Sequence, residues 1–206
     1  MDSTHEERGA AGKVLTASSL GLGLGQQAIT VSSFGVLVPA ASASFGWTRD
    51  QVAPALTAFM FVVIVLSPIV GRMVDRFGVR RVLLPSLFLF GFTLAGVGLM
   101  SGRLWELYLA YMMLGAAGIG TSSLVYSRAI VAWFSERRGL ALGIALAGMG
   151  VGIAVIPGIA QFVVASRGWR QAYMTLGGLV LLMAPLAIFW LRMPGVAPTK
   201  SIDLAT

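Results

Sequence analysis

Six long stretches of the sequence contain no charged residue, and they limit the possible folds more than any other feature. A helix needs about 20 consecutive apolar residues to cross the hydrocarbon core of a bilayer. The stretches lack the regular polar face that a soluble helical bundle would show. They cover residues 14–48, 51–71, 82–102, 107–127, 139–166 and 171–191. The pattern predicts an all-α membrane protein with six transmembrane helices, approximately at 17–43, 51–72, 81–101, 105–133, 139–165 and 170–192.

Composition narrows the class of protein further. The chain is 57% hydrophobic and 11% charged, whereas soluble domains carry about 25% charged residues. It has no cysteine, which excludes disulfides and thiolate metal sites. Its one histidine, His5, lies in the hydrophilic leader and is expected to be a solvated tail residue. No zinc-protease, nucleotide-loop or serine-nucleophile pattern is present. We therefore expect no enzyme, no metal and no cofactor.

The distribution of lysine and arginine predicts the orientation of the helices. With the N-terminus inside the cell, eleven basic residues fall on the inner side and four on the outer side. Cytoplasmic segments of membrane proteins normally carry this excess. We therefore expect a multi-pass protein of the cell membrane with a cytoplasmic tail over 1–16 and a cytoplasmic, linker-like tail over 194–206. The net charge of +7 then reflects topology and not a nucleic-acid partner. The inner set is Arg8, Lys13, Arg72, Arg76, Arg80, Arg81, Arg128, Arg137, Arg138, Arg192 and Lys200, and the outer set is Arg49, Arg103, Arg167 and Arg170.

The segment GRMVDRFGVRR, residues 71–81, holds five charges in eleven residues between two uncharged stretches. Charge is costly within lipid, so it collects where the second and third helices are connected. Gly71 permits close approach of two helices. Asp75 can interact favourably with a helix N-terminus, and Gly78 can adopt the positive φ of a tight turn. The segment is predicted to be a cytoplasmic turn of defined geometry.

The same segment resembles the G-x-x-x-D-R-x-G-R-R signature of the major facilitator superfamily. Three further stretches are similar to the monocarboxylate-porter and oxalate/formate-antiporter branch of that family: FGWTRDQV (45–52), WFSERRGLALGIALAGMGVGIAVIPGIAQ (133–161) and GWRQAY (168–173). The signature is matched by Gly71, Asp75, Arg76, Gly78 and Arg80, whereas Val79 departs from it and Arg81 supplies the second basic charge one position later.

The resemblance implies a secondary transporter for a small organic anion, a monocarboxylate or a dicarboxylate, working by alternating access. It also implies twelve helices in two six-helix halves, each built from two inverted three-helix repeats, with the substrate between the halves. The turn at 71–81 would be a cytoplasmic gate element. Glu136, Arg137 and Arg138 would be inner-gate charges; the alternative is that they only determine topology.

The chain holds six such helices, which predicts the N-terminal half of a transporter. Its partner would be a C-terminal six-helix half or, as the less favoured alternative, a second copy of this chain. Two other functions stay open: a multidrug or other-solute exporter of the same family, and a truncated, inactive membrane remnant or scaffold. The substrate, the direction of transport and the coupling ion are not predicted.

Polar residues in the first helix are candidates for substrate binding. Gln26, Thr30 and Ser33 stand at i, i+4 and i+7 and should share one helix face. In the family that the chain resembles, the first and fourth helices line the central cavity, so Gln26, Gln27 and Thr30 are candidates to hydrogen-bond substrate. Hydrogen bonding between helices explains the same residues equally well.

The fourth helix carries Arg128, the one charged residue placed away from the ends of a predicted span. An ionisable residue inside the membrane is a functional hypothesis by default, and a guanidinium can bind a carboxylate through two hydrogen bonds. Snorkelling to the cytoplasmic headgroups is the alternative. Tyr126 is a second candidate in the same helix.

The fifth helix is rich in small residues and contains a helix-breaking pair. Two glycine pairs spaced four residues apart, Gly139 with Gly143 and Gly148 with Gly152, are expected to allow close helix approach. Pro157 and Gly158 would loosen the helix, which makes them candidates for a bending site.

Overall fold

The computed structural model describes residues 3–134 and 138–190. Within these ranges all regular secondary structure is helical. In chain order the elements are α1 (Ser3–Gly23), a π-helical segment (Gln27–Val31), α2 (Ser32–Phe45), α3 (Arg49–Phe77), α4 (Val79–Val97), α5 (Leu104–Gly118), a 3-10 turn (Ile119–Thr121), α6 (Ser123–Trp133), α7 (Arg138–Arg167) and α8 (Trp169–Trp190).

Five segments of the described chain are long and apolar enough to cross a membrane. They are Val14–Phe45, Arg49–Phe77, Val79–Val97, Leu104–Val131 and Arg138–Arg167. The first joins the end of α1 to the π-helical segment and α2, and the fourth joins α5, the 3-10 turn and α6. α8 adds a sixth helix of 22 residues, about 33 Å long at roughly 1.5 Å per residue. The all-α membrane fold predicted from the uncharged stretches is therefore confirmed.

Three helix boundaries differ from the sequence-based expectation. α1 begins at Ser3 and not near residue 17, since the leader includes alanine, glutamate and lysine, which favour helix. α3 continues to Phe77 and α4 begins at Val79, so the expected turn over 71–81 shrinks to the single residue Gly78. Arginine is a good helix former, so charge alone does not end α3. Gly78 ends it, with a φ of 83° that other residues rarely adopt.

Three pairs of helices make the most extensive contacts: α1 with α7, α3 with α5, and α4 with α8. At the third pair the two backbones approach closely, because a Cβ at Gly177 would lie 2.7 Å from the carbonyl oxygen of Gly91. α4 turns one continuous apolar face into the bundle, with Leu83, Leu87, Phe90 and Leu94 fully buried. α4 and α8 therefore form a compact pair on one side of the bundle.

The crossing of α1 and α7 uses only one of the two predicted glycine pairs. A Cβ at Gly148 would collide with the backbone of Ser19, and one at Gly152 would collide with the backbone of Gly23. Gly139 and Gly143, in contrast, have no atom within 4 Å of the Cβ position. Close packing of two backbones in lipid depends on such small residues, so Gly148 and Gly152 fix the distance between the first and fifth spans.

Three connections meet at the end of the bundle opposite Gly78. Arg170, at the start of α8, donates a hydrogen bond of 2.9 Å to the carbonyl oxygen of Gly98 after α4. Its guanidinium carbon lies 4.7 Å from the ring centre of Trp169 and 5.9 Å from that of Phe45. Cation–π contacts of this kind hold a guanidinium in place. The ends of α2, α4 and α8 are thus joined through one arginine.

Candidate functional site

Two of the spanning helices are interrupted, and the interruptions contact each other. The break in the first span follows Gly25, and the break in the fourth is the 3-10 turn at Ile119–Thr121. The backbone N–H of Gln26 donates to Thr121 Oγ1 at 3.2 Å, and that hydroxyl donates to the Gly118 carbonyl at 2.7 Å. Side-chain hydroxyls that bond to backbone in this way compete with the regular helical pattern. The two breaks therefore support each other across the bundle.

Glycine permits this contact between the breaks. A Cβ at Gly25 would lie 2.7 Å from the Thr121 carbonyl oxygen, and a Cβ at Gly118 would lie 2.6 Å from Gln26 Oε1. Both distances are shorter than any side chain tolerates, so larger residues at 25 or 118 would push the two spans apart.

Polar side chains at the break in the first span are buried without partners. Gln26 is 1% exposed and Thr30 is 2% exposed, and neither side chain has a hydrogen-bond partner within the described protein. Ser33 is also buried, but its hydroxyl donates to the Ile29 carbonyl. Gln27 points outward and is exposed. A buried amide or hydroxyl without a partner costs about 1–3 kcal/mol, so Gln26 and Thr30 are held in a state that a polar ligand or water would relieve.

Tyr126 lies inside the bundle and not on its surface. Its side chain is 1% exposed. The phenol group fills the space beside Gly21 of α1, where a Cβ would overlap the Tyr126 hydroxyl. Tyr126 therefore packs α6 against α1 on the buried side of α6.

Arg128 is paired with the aspartate of the 71–81 segment. Its Nη1 contacts Asp75 Oδ1, the only ion pair within the described ranges. The two side chains are 41% and 59% exposed. Helices α3 and α6 also meet at Gly71, where a Cβ would lie 4.0 Å from a methyl carbon of Leu124. The geometry joins a candidate substrate ligand, Arg128, to a candidate gate residue, Asp75.

The other members of the signature have separate contacts. The guanidinium carbon of Arg76 lies 5.5 Å from the ring centre of Phe77. Arg80 Nη2 donates to the carbonyl oxygen of Ile188 in the last turn of α8, at 3.1 Å. A cation at the C-terminal end of a helix interacts favourably with the helix dipole. Arg80 thus fastens the start of α4 to the end of α8, whereas Arg81 is exposed.

Two groups of residues predicted from the sequence lie at the start of α7 and within it. Arg138 begins this helix and its Nε donates to the Phe134 carbonyl at 3.0 Å. Glu136 and Arg137 lie outside the described residues. Pro157 and Gly158 lie within α7, which continues through both as one helix to Arg167. The Cβ position of Gly158 has open space around it.

The sequence reasoning missed the break in the fourth span and with it Thr121. The signal was present as a dense run of glycine followed by threonine and two serines, GAAGIGTSS at 115–123. Such residues offer the backbone alternatives to a regular helix. The same composition also suits close helix packing, so it did not distinguish the two outcomes.

A family model described as the Major Facilitator Superfamily matches residues 19–205. The chain belongs to this superfamily. With its long apolar helices it is therefore a multi-pass integral membrane protein, and the resemblance inferred from the 71–81 signature is confirmed.

Several curated members of the superfamily resemble this one. A probable sulfoacetate transporter of Cupriavidus necator is 28% identical over 76% of the chain and 36% of its own length. The oxalate:formate antiporter of Oxalobacter formigenes is 30% identical over 66% of the chain and 32% of its own length. Monocarboxylate transporter 12 of Rattus norvegicus is 34% identical over 56% of the chain and 25% of its own length. The chain thus spans between a quarter and about a third of the length of these relatives.

Proposed function

We propose that this chain takes part in secondary active transport of a small organic anion, a monocarboxylate or a dicarboxylate, by alternating access. The observation that carries the proposal is the Arg128–Asp75 ion pair. It places a cation that suits a carboxylate, within a spanning segment, on the acidic residue of the family signature. Relatives named for sulfoacetate, monocarboxylates and oxalate support the class of substrate.

In this proposal Asp75 and the substrate exchange on Arg128. A guanidinium presents a planar fork of donors, and a carboxylate that binds this fork through two hydrogen bonds would take the Nη1 that Asp75 contacts. An incoming anion would take the place of Asp75 and so release α3 from α6 at their inner ends. Binding would in this way be coupled to opening of the gate formed by the 71–81 segment. Gly71, Arg76, Gly78, Arg80 and Arg81 would shape that gate, together with Glu136, Arg137 and Arg138.

Uncharged polar side chains at the point where the two interrupted spans cross would contact the same substrate. Discontinuous helices at a repeat interface commonly form the binding sites of secondary transporters. Gln26 and Thr30 are buried there with no side-chain hydrogen-bond partner among the described residues, and Gln27 and Tyr126 flank them. A small rotation of α1 against α6 would offer these groups to a ligand.

The proposed partner is a second six-helix half. Among the five apolar spans Val14–Phe45, Arg49–Phe77, Val79–Val97, Leu104–Val131 and Arg138–Arg167, those of α3 and α7 are the least buried, with 17% of an 18-residue stretch of each buried. These two faces are where another half would pack. The pairing α1–α7, α3–α5 and α4–α8 joins spans one and five, two and four, and three and six. If span one is exchanged with span four, two with five, and three with six, the same three pairs of spans result. This symmetry of the contacts supports two inverted repeats within the half. Both termini are placed in the cytoplasm in this proposal.

The test is ligand-induced stabilisation of the purified chain. A ligand that binds only the folded state raises the unfolding temperature. We expect small mono- and dicarboxylates to raise it, and a lipophilic cation not to. In Arg128→Gln the apparent affinity should fall by about tenfold, roughly 1.4 kcal/mol, an effect limited by the partial exposure of the site.

Arg103→Gln is the control, because Arg103 is an exposed arginine at the opposite end of the bundle. It should respond to carboxylates like the parent. No stabilisation of the parent by any carboxylate would remove the anion assignment for this chain. Stabilisation by the lipophilic cation alone would favour the exporter alternative.

A further inference from the structure

Four arginines surround the one-residue turn at Gly78, and none has a carboxylate partner within the described residues. Arg72 donates to the Pro68 carbonyl of its own helix, Arg76 stacks on Phe77, and Arg80 bonds to the end of α8. The one acid of the segment, Asp75, is already paired with Arg128. The surface around the turn therefore carries positive charge that no described carboxylate neutralises.

Arg81 heads an exposed apolar column on α4. Pro85, Phe88 and Phe92 follow it at i+4, i+7 and i+11, so they share its helix face. Phe88 is 40% exposed and Phe92 is 63% exposed. From Arg81 to Phe92 the helix rises about 16 Å, which is close to one leaflet of a hydrocarbon core roughly 30 Å thick. The column has the length of a lipid chain, with a cation at its end.

Arg80 stands next to this column and is fixed in position. Its Nη2 donates to the Ile188 carbonyl, which holds it where α4 and α8 meet. A guanidinium has five N–H donors, so one bond leaves several for a second acceptor. Two exposed arginines at consecutive positions, one of them anchored by that bond, suit a phosphodiester with its two non-bridging oxygens.

We propose that Arg80 and Arg81 bind the phosphate of an anionic phospholipid whose acyl chain lies along Pro85, Phe88 and Phe92. The lipid supplies the negative charge that the turn lacks and covers an apolar face that no described element covers. Basic positions between transmembrane helices at the membrane surface are the places where acidic headgroups bind. An anionic headgroup is favoured over a zwitterionic one, because the latter brings its own cation to the site.

Native mass spectrometry of the delipidated 206-residue chain tests this. Equal amounts of phosphatidylglycerol and phosphatidylcholine are added, and the bound fraction of each lipid is measured. The parent should retain phosphatidylglycerol preferentially. Arg80→Gln with Arg81→Gln should lower that preference by roughly thirtyfold, as expected for two charges near the surface. Phe92→Ala should lower retention of the lipid as well.

Two control variants distinguish this site from non-specific electrostatic attraction of anionic lipid and from non-specific hydrophobic binding of lipid. Arg103→Gln with Arg167→Gln removes two exposed arginines from the opposite end, and Phe162→Ala removes a side chain that is 75% exposed on α7. Both should behave like the parent. An equal loss in the two arginine doubles would overturn the proposal. So would displacement of the lipid by inorganic phosphate at matched ionic strength, since free phosphate cannot use the apolar column.

Discussion

Gln26 and Gln27 are sequence neighbours with opposite environments, and they show how a single residue is selected for a role. Gln26 is 1% exposed and its side-chain amide has no hydrogen-bond partner within the described protein. Gln27, in contrast, is exposed to the outside of the bundle. Folding alone gains nothing from an unpaired buried amide. A contact with a polar ligand would supply the hydrogen bonds that the buried Gln26 side chain lacks.

Replacing Gln26 by leucine tests whether function costs stability at this position. Gln26→Leu should raise the free energy of unfolding by about 1–3 kcal/mol, because it removes an unpaired buried amide of similar size. It should also weaken carboxylate-induced stabilisation. The unfolding midpoint with and without ligand measures both effects. Gln27→Leu is the control for stability and should shift the midpoint little. A destabilised Gln26→Leu would show that the amide is satisfied in the folded protein.

At the scale of the elements, the six spans followed from the sequence because charge marks their ends. Boundaries inside charged segments did not follow, since arginine continues a helix and only Gly78 interrupts α3 and α4. The Arg128–Asp75 pair was also missed, although both residues were singled out. A contact between residues of two spans can be predicted only when it is known which residues of the two helices lie at the same height in the bundle. The sequence does not supply that information.

The crossing of α1 and α7 gives a sharp prediction for two glycines in one helix. Gly152→Ala should destabilise the protein by about 1–3 kcal/mol, because its Cβ would meet the backbone of Gly23. Gly150→Ala should be neutral or stabilising by roughly 0.5–1 kcal/mol, because its Cβ position is open and alanine favours helix. Unfolding midpoints of both variants in the same detergent are the measurement. Equal effects would mean that α1 and α7 do not approach as closely as the structure shows.

At the scale of the whole molecule, the two ends of the bundle are held differently. At one end Arg170 joins three connections through stacking on Trp169 and Phe45 and a bond to Gly98. At the other end an exposed ion pair, Arg128 with Asp75, joins α6 to α3. Ion pairs of this exposure are worth about 0–1 kcal/mol. The contact between α6 and α3 at this end is therefore easy to open, which fits its proposed role in the gate.

The proposed orientation of these ends can be checked by labelling, since the chain has no native cysteine. Ser101→Cys places an exposed thiol at the end that holds Arg170, and Gly139→Cys places one at the end that holds the ion pair. In intact cells an impermeant maleimide should label the first and not the second, and permeabilisation should expose both. Labelling of Gly139→Cys alone would invert the topology, and with it the assignment of the inner gate.

The measurement that tests the account most directly is the affinity of a carboxylate for Asp75→Asn. The central claim is that Asp75 and the transported anion compete for Arg128. Removing the competing charge should tighten binding by roughly twofold to fivefold, the range expected for an exposed ion pair. In an Arg128→Gln background the same change should have no effect, because there is then no cation to compete for. Unchanged or weaker binding to Asp75→Asn, with Arg128 in place, would contradict the claim.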